Sequence, residues 1–338
     1  MDNFTHSLAG WALGQAGLKT KSRKGLAALI LGANAPDIDV IFGSVPWEPL
    51  AMHRGFTHSL IGGLIILPVL LWGLLLLIDW ADRKRGSTFE SGLPLRPGWL
   101  LALCFIGVLT HPLFDLQTTY SVQLFTPLSG AWWHMDSLFI IDVWLWAGVT
   151  FAIAWSRMRE KQGREWRRAA QIGVIGALAY IAGNVALTHY VRAGVKAAAA
   201  SYGEMDVLYT SPPPVAFWRR GISWRNEDGR LGFARFDALS GGYRWADGLK
   251  PGEPAMPDRM DDPLVRRAMR ESRSAFGPFY RWSTMMFARI EQAECEAIIN
   301  FADARYVSMR RRGNDPFRRT VTLDLCPPGQ GTGATAGT

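Results

Sequence analysis

Hydrophobic residues run in long uncharged blocks through the first half of this chain and alternate with polar ones in the second. Residues 59–78 form twenty consecutive positions without a charge, about the length a helix needs to cross the hydrocarbon core of a bilayer. Residues 98–114, 138–155 and 169 to about 187 are similar blocks, with Asp142 inside 138–155. Two weaker ones come first, 4–18 and 25 to about 42. The 4–18 block is short for a crossing and fits a short pass or a half-embedded interfacial helix. No basic residue precedes it, which argues against a secretory signal. The pattern predicts an all-α polytopic membrane helix bundle of about six passes, the first one short, over residues 1–190.

A different periodicity follows. Residues 192–201 are Ala-rich and extend the last helix, and the prolines at 212–214 make a stiff linker, so 191–214 reads as extension and linker. Residues 215–338 read as an α+β outer domain. ISWRNEDGRLGFARFD predicts two strands turning at Asp228-Gly229. Residues 262–274 predict a helix with Pro263 in its first turn. FYRWSTMMFARIE, EAIINFADARY and RRTVTLDL predict further strands. Cys295 and Cys326 both fall in this domain, where a disulfide is an open possibility, whereas Cys104 reads as a small apolar residue inside a pass.

Charge sharpens the picture. The net charge of +8 would point to nucleic acid in a soluble chain. Here the basic residues flank apolar blocks, which identifies them as topology determinants and removes nucleic acid from the expected partners. Lys19, Lys21, Arg23 and Lys24 fill the first connection, and Arg83, Lys84, Arg85 and Arg96 the third. Six arginines and lysines between Arg157 and Arg168 fill the fifth, while the fourth, residues 115–137, has none. Odd connections are therefore expected in the cytoplasm, with both the N-terminus and the C-terminal domain outside.

Five of the six histidines lie in the first 134 residues, each near the end of an apolar block, and several have carboxylates close by. On the predicted topology His6, Asp37, Asp39, His53, His58, His111, Asp115, His134 and Asp136 all fall at the same outer end. Ionisable groups beside a bilayer core mark function, and imidazoles with carboxylates suit a divalent metal ion. His111 and Asp115, at i and i+4, share a helix face. His53 and His58, five apart, lie about 140° round a helix and cannot share one. Arg54-Gly55 therefore predicts a turn, with Thr57 capping a helix that starts near His58. Asp37 and Asp39 point apart in a regular helix, so one is expected on the metal and the other on a histidine. Asp142 is expected to pair within the site or with a buried donor. His189, with no carboxylate nearby, reads as structural.

The ordered set MDNFTHSLAGWALG, NAPDIDV, HRGFTHSL, THPLFDLQTTYSVQLFTPLS and MDSLFIIDVW resembles the YdjM-like membrane-bound, metal-dependent hydrolases over about residues 1–155. The resemblance implies a bacterial inner-membrane hydrolase. It maps characteristic polar positions onto His6, Asp37, Asp39, His53, His58, His111, Asp115, Asp136 and Asp142, and leaves His134 without a counterpart.

Together these readings give an expected metal shell of His6, Asp37, His58, His111 and Asp115. Asp39 and His53 are the expected catalytic pair, and Asp136, Asp142 and His134 stay outside it or unassigned. Zn²⁺ is the favoured ion and Mn²⁺ also suits the donors. Membrane lipids are the expected partners and an amphiphilic phosphoester the expected substrate. A transporter and a structural membrane protein are the other classes compatible with the cluster. The sequence does not address oligomeric state.

Overall fold

The computed structural model of the protein describes residues 1–44, 53–87, 89, 91–307 and 317–326. It forms two compact units, one of Met1–Ala193, Thr210–Gly221 and Phe236–Gly242, the other of Gly194–Tyr209, Ile222–Arg235 and Tyr243–Thr338.

The first unit is helical. Helix α1 (Asn3–Gln15) starts where the Asp2 carboxylate accepts from the amides of Phe4 and Thr5 at 3.0 and 3.1 Å. Its 13 residues extend about 20 Å, well short of a ~30 Å core. Helix α2 (Gly25–Asn34) is shorter still and passes into 3₁₀ turns over Ala35–Ser44. A π-helical turn, Gly62–Ile66, leads into α3 (Leu67–Lys84). Then come α4 (Pro97–Asp115), α5 (Val143–Lys161) and α6 (Arg167–Ala199). Among the described residues three helices are long and apolar enough to cross a membrane, Gly62–Lys84, Pro97–Asp115 and Arg167–Tyr202. The six-pass expectation is therefore not reproduced: α1 and α2 are too short, and α5 ends in a charged turn.

Apolar side chains on these spans face outward, Leu70 and Leu77 on α3 and Ile175 and Leu178 on α6 each about 60% exposed, as lipid-facing residues would be. Inside, backbone meets backbone. A Cβ on Gly10 of α1 would lie 2.5 Å from the Leu29 carbonyl oxygen of α2, and one on Gly107 of α4 would lie 2.7 Å from the same atom. Small residues thus let three helices close on one another, the device that replaces hydrophobic burial in lipid.

Asp142 stands at the N-cap of α5, not inside it. Its carboxylate accepts from the Trp144 and Leu145 amides at 3.1 and 2.9 Å and from the Tyr180 hydroxyl at 2.9 Å. The expected buried donor is therefore Tyr180.

The second unit is rich in β-structure. Strands β1 (Met205–Ser211), β2 (Arg219–Asn226), β3 (Arg230–Asp237) and β4 (Gly242–Trp245) lie in that order in one sheet, and β5 (Met256–Pro257) pairs antiparallel with β3. Each of β1 to β4 has residues in both units. The expected hairpin turn is present, with Gly229 at φ 70°. Helices α7 (Pro263–Glu271) and α8 (Arg273–Trp282) precede an antiparallel sheet of β6 (Met286–Gln292), β7 (Glu296–Asp303) and β8 (Arg318–Asp324). The segment from Phe279 to Trp282, expected as strand, is helical because residues three apart share a helix face, and Phe279 and Trp282 are 1% and 0% exposed. Cys295 and Cys326 are disulfide-bonded, tying the β6–β7 turn to the end of β8.

One ion pair holds the basic connection of the bundle. Asp79 of α3, fully buried, receives Arg23 through both oxygens at 2.7 and 2.8 Å, with Arg83 at 3.2 Å. Lys24 reaches Asp82 at 2.7 Å in a more exposed setting. Removing one partner of a buried pair strands the other charge. Asp79→Ala should lose about 3 kcal/mol or more, and Asp82→Ala under about 1 kcal/mol. Thermal melts of the detergent-solubilised protein check this, and equal losses would contradict it.

Candidate metal centre

Four stretches of the first unit bring their ionisable side chains together. His6 comes from α1, and Asp37 and Asp39 from the 3₁₀ run. His53 and His58 come from the segment before α3, and His111 and Asp115 from the last turn of α4. Asp37 and Asp39 do point in different directions, yet both end on one ring. Asp37 Oδ1 lies 3.3 Å from His58 Nε2, and Asp39 Oδ2 lies 3.3 Å from His58 Nδ1. The intervening and following residues, Ile38 and Val40, are 47% and 61% exposed.

Hydrogen bonds assign the protons. His111 Nδ1 donates to the Ala33 carbonyl at 2.6 Å, which leaves a lone pair on Nε2. Thr57 gives its hydroxyl proton to Asp39 Oδ2 at 2.8 Å, and His58 Nδ1 faces both Thr57 Oγ1 and that carboxylate. Nδ1 is therefore the protonated nitrogen of His58, and its Nε2 also carries a lone pair. The two Nε2 atoms face each other at 3.0 Å. Asp37 Oδ1 is 3.3 and 3.2 Å from them, and Asp115 Oδ2 is 3.3 and 3.4 Å.

Four acceptor atoms so close repel one another unless a cation or a shared proton lies between them. An ion about 2.0–2.1 Å from each of four tetrahedral ligands separates those ligands by about 3.3 Å. The five separations above match that edge. Asp37, His58 and His111 lie close enough together to hold one divalent ion, with Asp115 beside both imidazoles, and imidazoles with carboxylates suit such an ion chemically.

The remaining residues surround this core. Asp39 is already engaged, accepting from Thr57, from the Arg54 amide at 3.3 Å and from His53 Nδ1 at 3.0 Å. Such bonds suit a group that orients a ligand from outside. His53 is the open member, its side chain 29% exposed. His6 stacks on His111 with centroids 3.7 Å apart, neither of its nitrogens makes a hydrogen bond, and Nε2 lies 3.6 Å from Asp115 Oδ1. That same oxygen meets Arg54 Nη2 at 3.2 Å and the Met1 amino group. Three overlapping triads result: His6, His111 and Asp115; Asp37, His58 and His111; Asp39, His53 and His58.

One expectation needs correction. Thr57 does not cap a helix, because its hydroxyl is spent on Asp39. Ser59 Oγ accepts from the Gly62 amide instead, at 3.0 Å. His134 and Asp136, which stood outside the expected metal shell, join none of the triads. Asp136 is fully buried in its own network, contacting His134 Nδ1 at 2.9 Å, Arg192 at 2.8 Å and the Thr210 amide at 2.9 Å. Burial pushes its carboxyl up, but His134, Arg192 and the amide outweigh that and hold it at about 2. The Arg192 charge draws Asp136 away from the metal residues. Exposed His189 is in none of the triads.

Arg54 is the residue that sequence reasoning passed over. It is 2% exposed, sits in the left-handed region at φ 66°, donates to Thr118 Oγ1 at 2.8 Å and stacks over Tyr120 at 4.7 Å. Its signal was present: the lone basic residue in an otherwise uncharged stretch between two site histidines.

The geometry predicts that purified His58→Ala and His111→Ala proteins retain well under half of the parent's divalent metal, whereas His134→Ala retains all of it. Elemental analysis of protein purified without chelator checks this. Equal metal content in all three would contradict the assignment.

The family model described as YdjM inner membrane protein matches residues 1–191, the segment that holds every residue of the three triads. No curated protein and no solved structure matches the chain. Because the match spans more than half of the 338 residues, and candidate membrane helices accompany it, the chain belongs to the YdjM inner membrane protein family.

Proposed function

We propose that this protein is a metal-dependent hydrolase acting on an amphiphilic phosphoester at the membrane interface. The observation that carries the reading is the cluster of two facing imidazole nitrogens flanked by two carboxylates, with a half-open imidazole beside it. A divalent ion, with Zn²⁺ favoured by the imidazoles, would supply Lewis acidity and an acidified water nucleophile. Asp37, His58, His111 and Asp115 would hold it, with His6 as a further donor.

His53 would take the proton of the attacking water. Its Nδ1 faces Asp39, which fixes the ring and favours the imidazolium that proton transfer creates. Arg54, held against Asp115, supplies a fixed positive charge near the oxygens of a phosphoryl group. No Gly-rich phosphate loop or serine nucleophile motif stands in the sequence, which favours direct attack by water.

An outer C-terminal domain has support of its own. The bonded Cys295 and Cys326 suit an oxidising compartment, in keeping with a C-terminal domain outside the cytoplasm. The site lies at the end of α4 opposite Arg96, away from the basic connections. A proton or ion relay would spread ionisable groups through the depth of its spans. In Gly62–Lys84 and Pro97–Asp115 they stand only at the ends, and Asp79 is paired.

The test is incubation of the purified full chain with phospholipid vesicles and Zn²⁺ or Mn²⁺, following release of phosphorylated headgroup and of free fatty acid. The expected outcome is headgroup release. His53→Ala should lower kcat by about 10²–10⁴-fold while keeping its metal. Release of fatty acid alone, or full turnover by His53→Ala, would overturn the proposal.

A further inference from the structure

The connection between α4 and α5 has a build that hydrolysis does not explain. Residues 116–135 contain no Lys, Arg, Asp or Glu. Their middle forms a hairpin, closed where Val122 and Trp133 exchange backbone hydrogen bonds of 2.9 Å in both directions. Its apolar side chains turn outward: Phe125 is 40%, Leu128 at the tip 82% and Trp133 at the closing pair 46% exposed. Phe125 and Trp133 brace each other edge to face, centroids 5.6 Å apart.

The polar groups of the tip are spent on one another. The Gln123 side-chain amide donates to the Gly130 carbonyl at 3.0 Å. Thr126 Oγ1 donates to Gln123 Oε1 at 3.2 Å, and the Ala131 amide donates to Ser129 Oγ at 3.2 Å. A loop that faces water has no need to satisfy itself; one that enters an apolar medium must. Its base is tied to the site. The Gln123 amide donates to the Arg54 carbonyl, and the Leu60 amide to the Leu124 carbonyl, both at 2.9 Å. Phe56 and Leu60 beside it are 46% and 40% exposed. Leu113 on the last turn of α4, the candidate membrane-crossing helix that leads into this connection, is 52% exposed.

We propose that residues 122–133 form a lipid-docking hairpin. The tip would enter the headgroup–acyl boundary on the side of the bilayer that holds the metal centre, and its base would clamp the Arg54 segment at the depth where a headgroup lies. The occupant is the bilayer itself: an uncharged, aromatic, internally satisfied tip continuous with a spanning helix matches the interfacial zone, where Trp and apolar residues collect. The proposal does not depend on which bond, if any, the site cleaves.

Leu128→Cys in the full chain tests it. Cys104 is buried and Cys295 and Cys326 are bonded, so a nitroxide reagent labels the introduced thiol selectively. The labelled protein is reconstituted into vesicles of phosphatidylethanolamine and phosphatidylglycerol, beside a Ser87→Cys protein labelled in the basic connection. Relaxation by oxygen against a water-soluble nickel chelate reads depth. The expected result is a Leu128 label about 5–10 Å below the headgroup boundary, with the Ser87 label in water. A Leu128 label as open to the chelate as the Ser87 label would overturn the proposal. So would one shielded from both relaxants, which would mark a protein partner or a second copy on the hairpin.

Discussion

Mutual repulsion among four acceptor atoms is the constraint on which the first unit depends. His58 Nε2 and His111 Nε2 face each other at 3.0 Å, and Asp37 Oδ1 and Asp115 Oδ2 each lie 3.2–3.4 Å from both. With both rings neutral no tautomer relieves this, because Ala33 and Asp39 claim the Nδ1 protons. A chain that builds such a cluster has to bind the structure around it tightly. The bonds from Thr57, His53 and the Arg54 amide to Asp39, and from Arg54 to Asp115, are that binding. A cation at the centre turns the same atoms from a source of strain into a source of stability.

The helices serve this constraint at some distance from it. The glycines at positions 10 and 107 let α1 and α4 close on the Leu29 backbone of α2, which draws His6, the 3₁₀ run and His111 to one end of the bundle. Short helices are useful here. Because α2 stops at Asn34, the next ten residues are free to take 3₁₀ turns and send Asp37 and Asp39 to opposite sides of His58. At the other end of α3, the Arg23–Asp79 pair fixes the α1–α2 connection. Asp136 with Arg192 and Asp142 with Tyr180 settle the remaining carboxylates of this region without a metal.

Much of the centre was legible in the sequence because its signals are local. A histidine with an aspartate four residues on, or near the end of an apolar block, is readable from spacing alone, and His6, Asp37, His58, His111 and Asp115 do converge. What the sequence hid was long-range pairing. Nothing near Asp136 announces that Arg192, 56 residues on, will hold it, and Arg54 read as a turn residue because its partner Asp115 lies 61 positions away. Three of the expected passes are matched by helices long and apolar enough to cross, and the others are not confirmed for a related reason: an apolar block reports hydrophobicity, while the helix inside it ends where capping and turn geometry decide. Hydrophobic alternation located most strands of the second unit, and failed at Phe279–Trp282, where aromatic spacing fits a helix as well as a strand.

The most direct test of the central claim is X-ray absorption at the metal edge of the purified protein. The account predicts a first shell of about four nitrogen and oxygen donors at about 2.0–2.1 Å, with the outer-shell scattering of at least two imidazoles and no sulfur near 2.3 Å. A sulfur shell, a shell without imidazole, or protein that holds no metal after purification and reconstitution would contradict it.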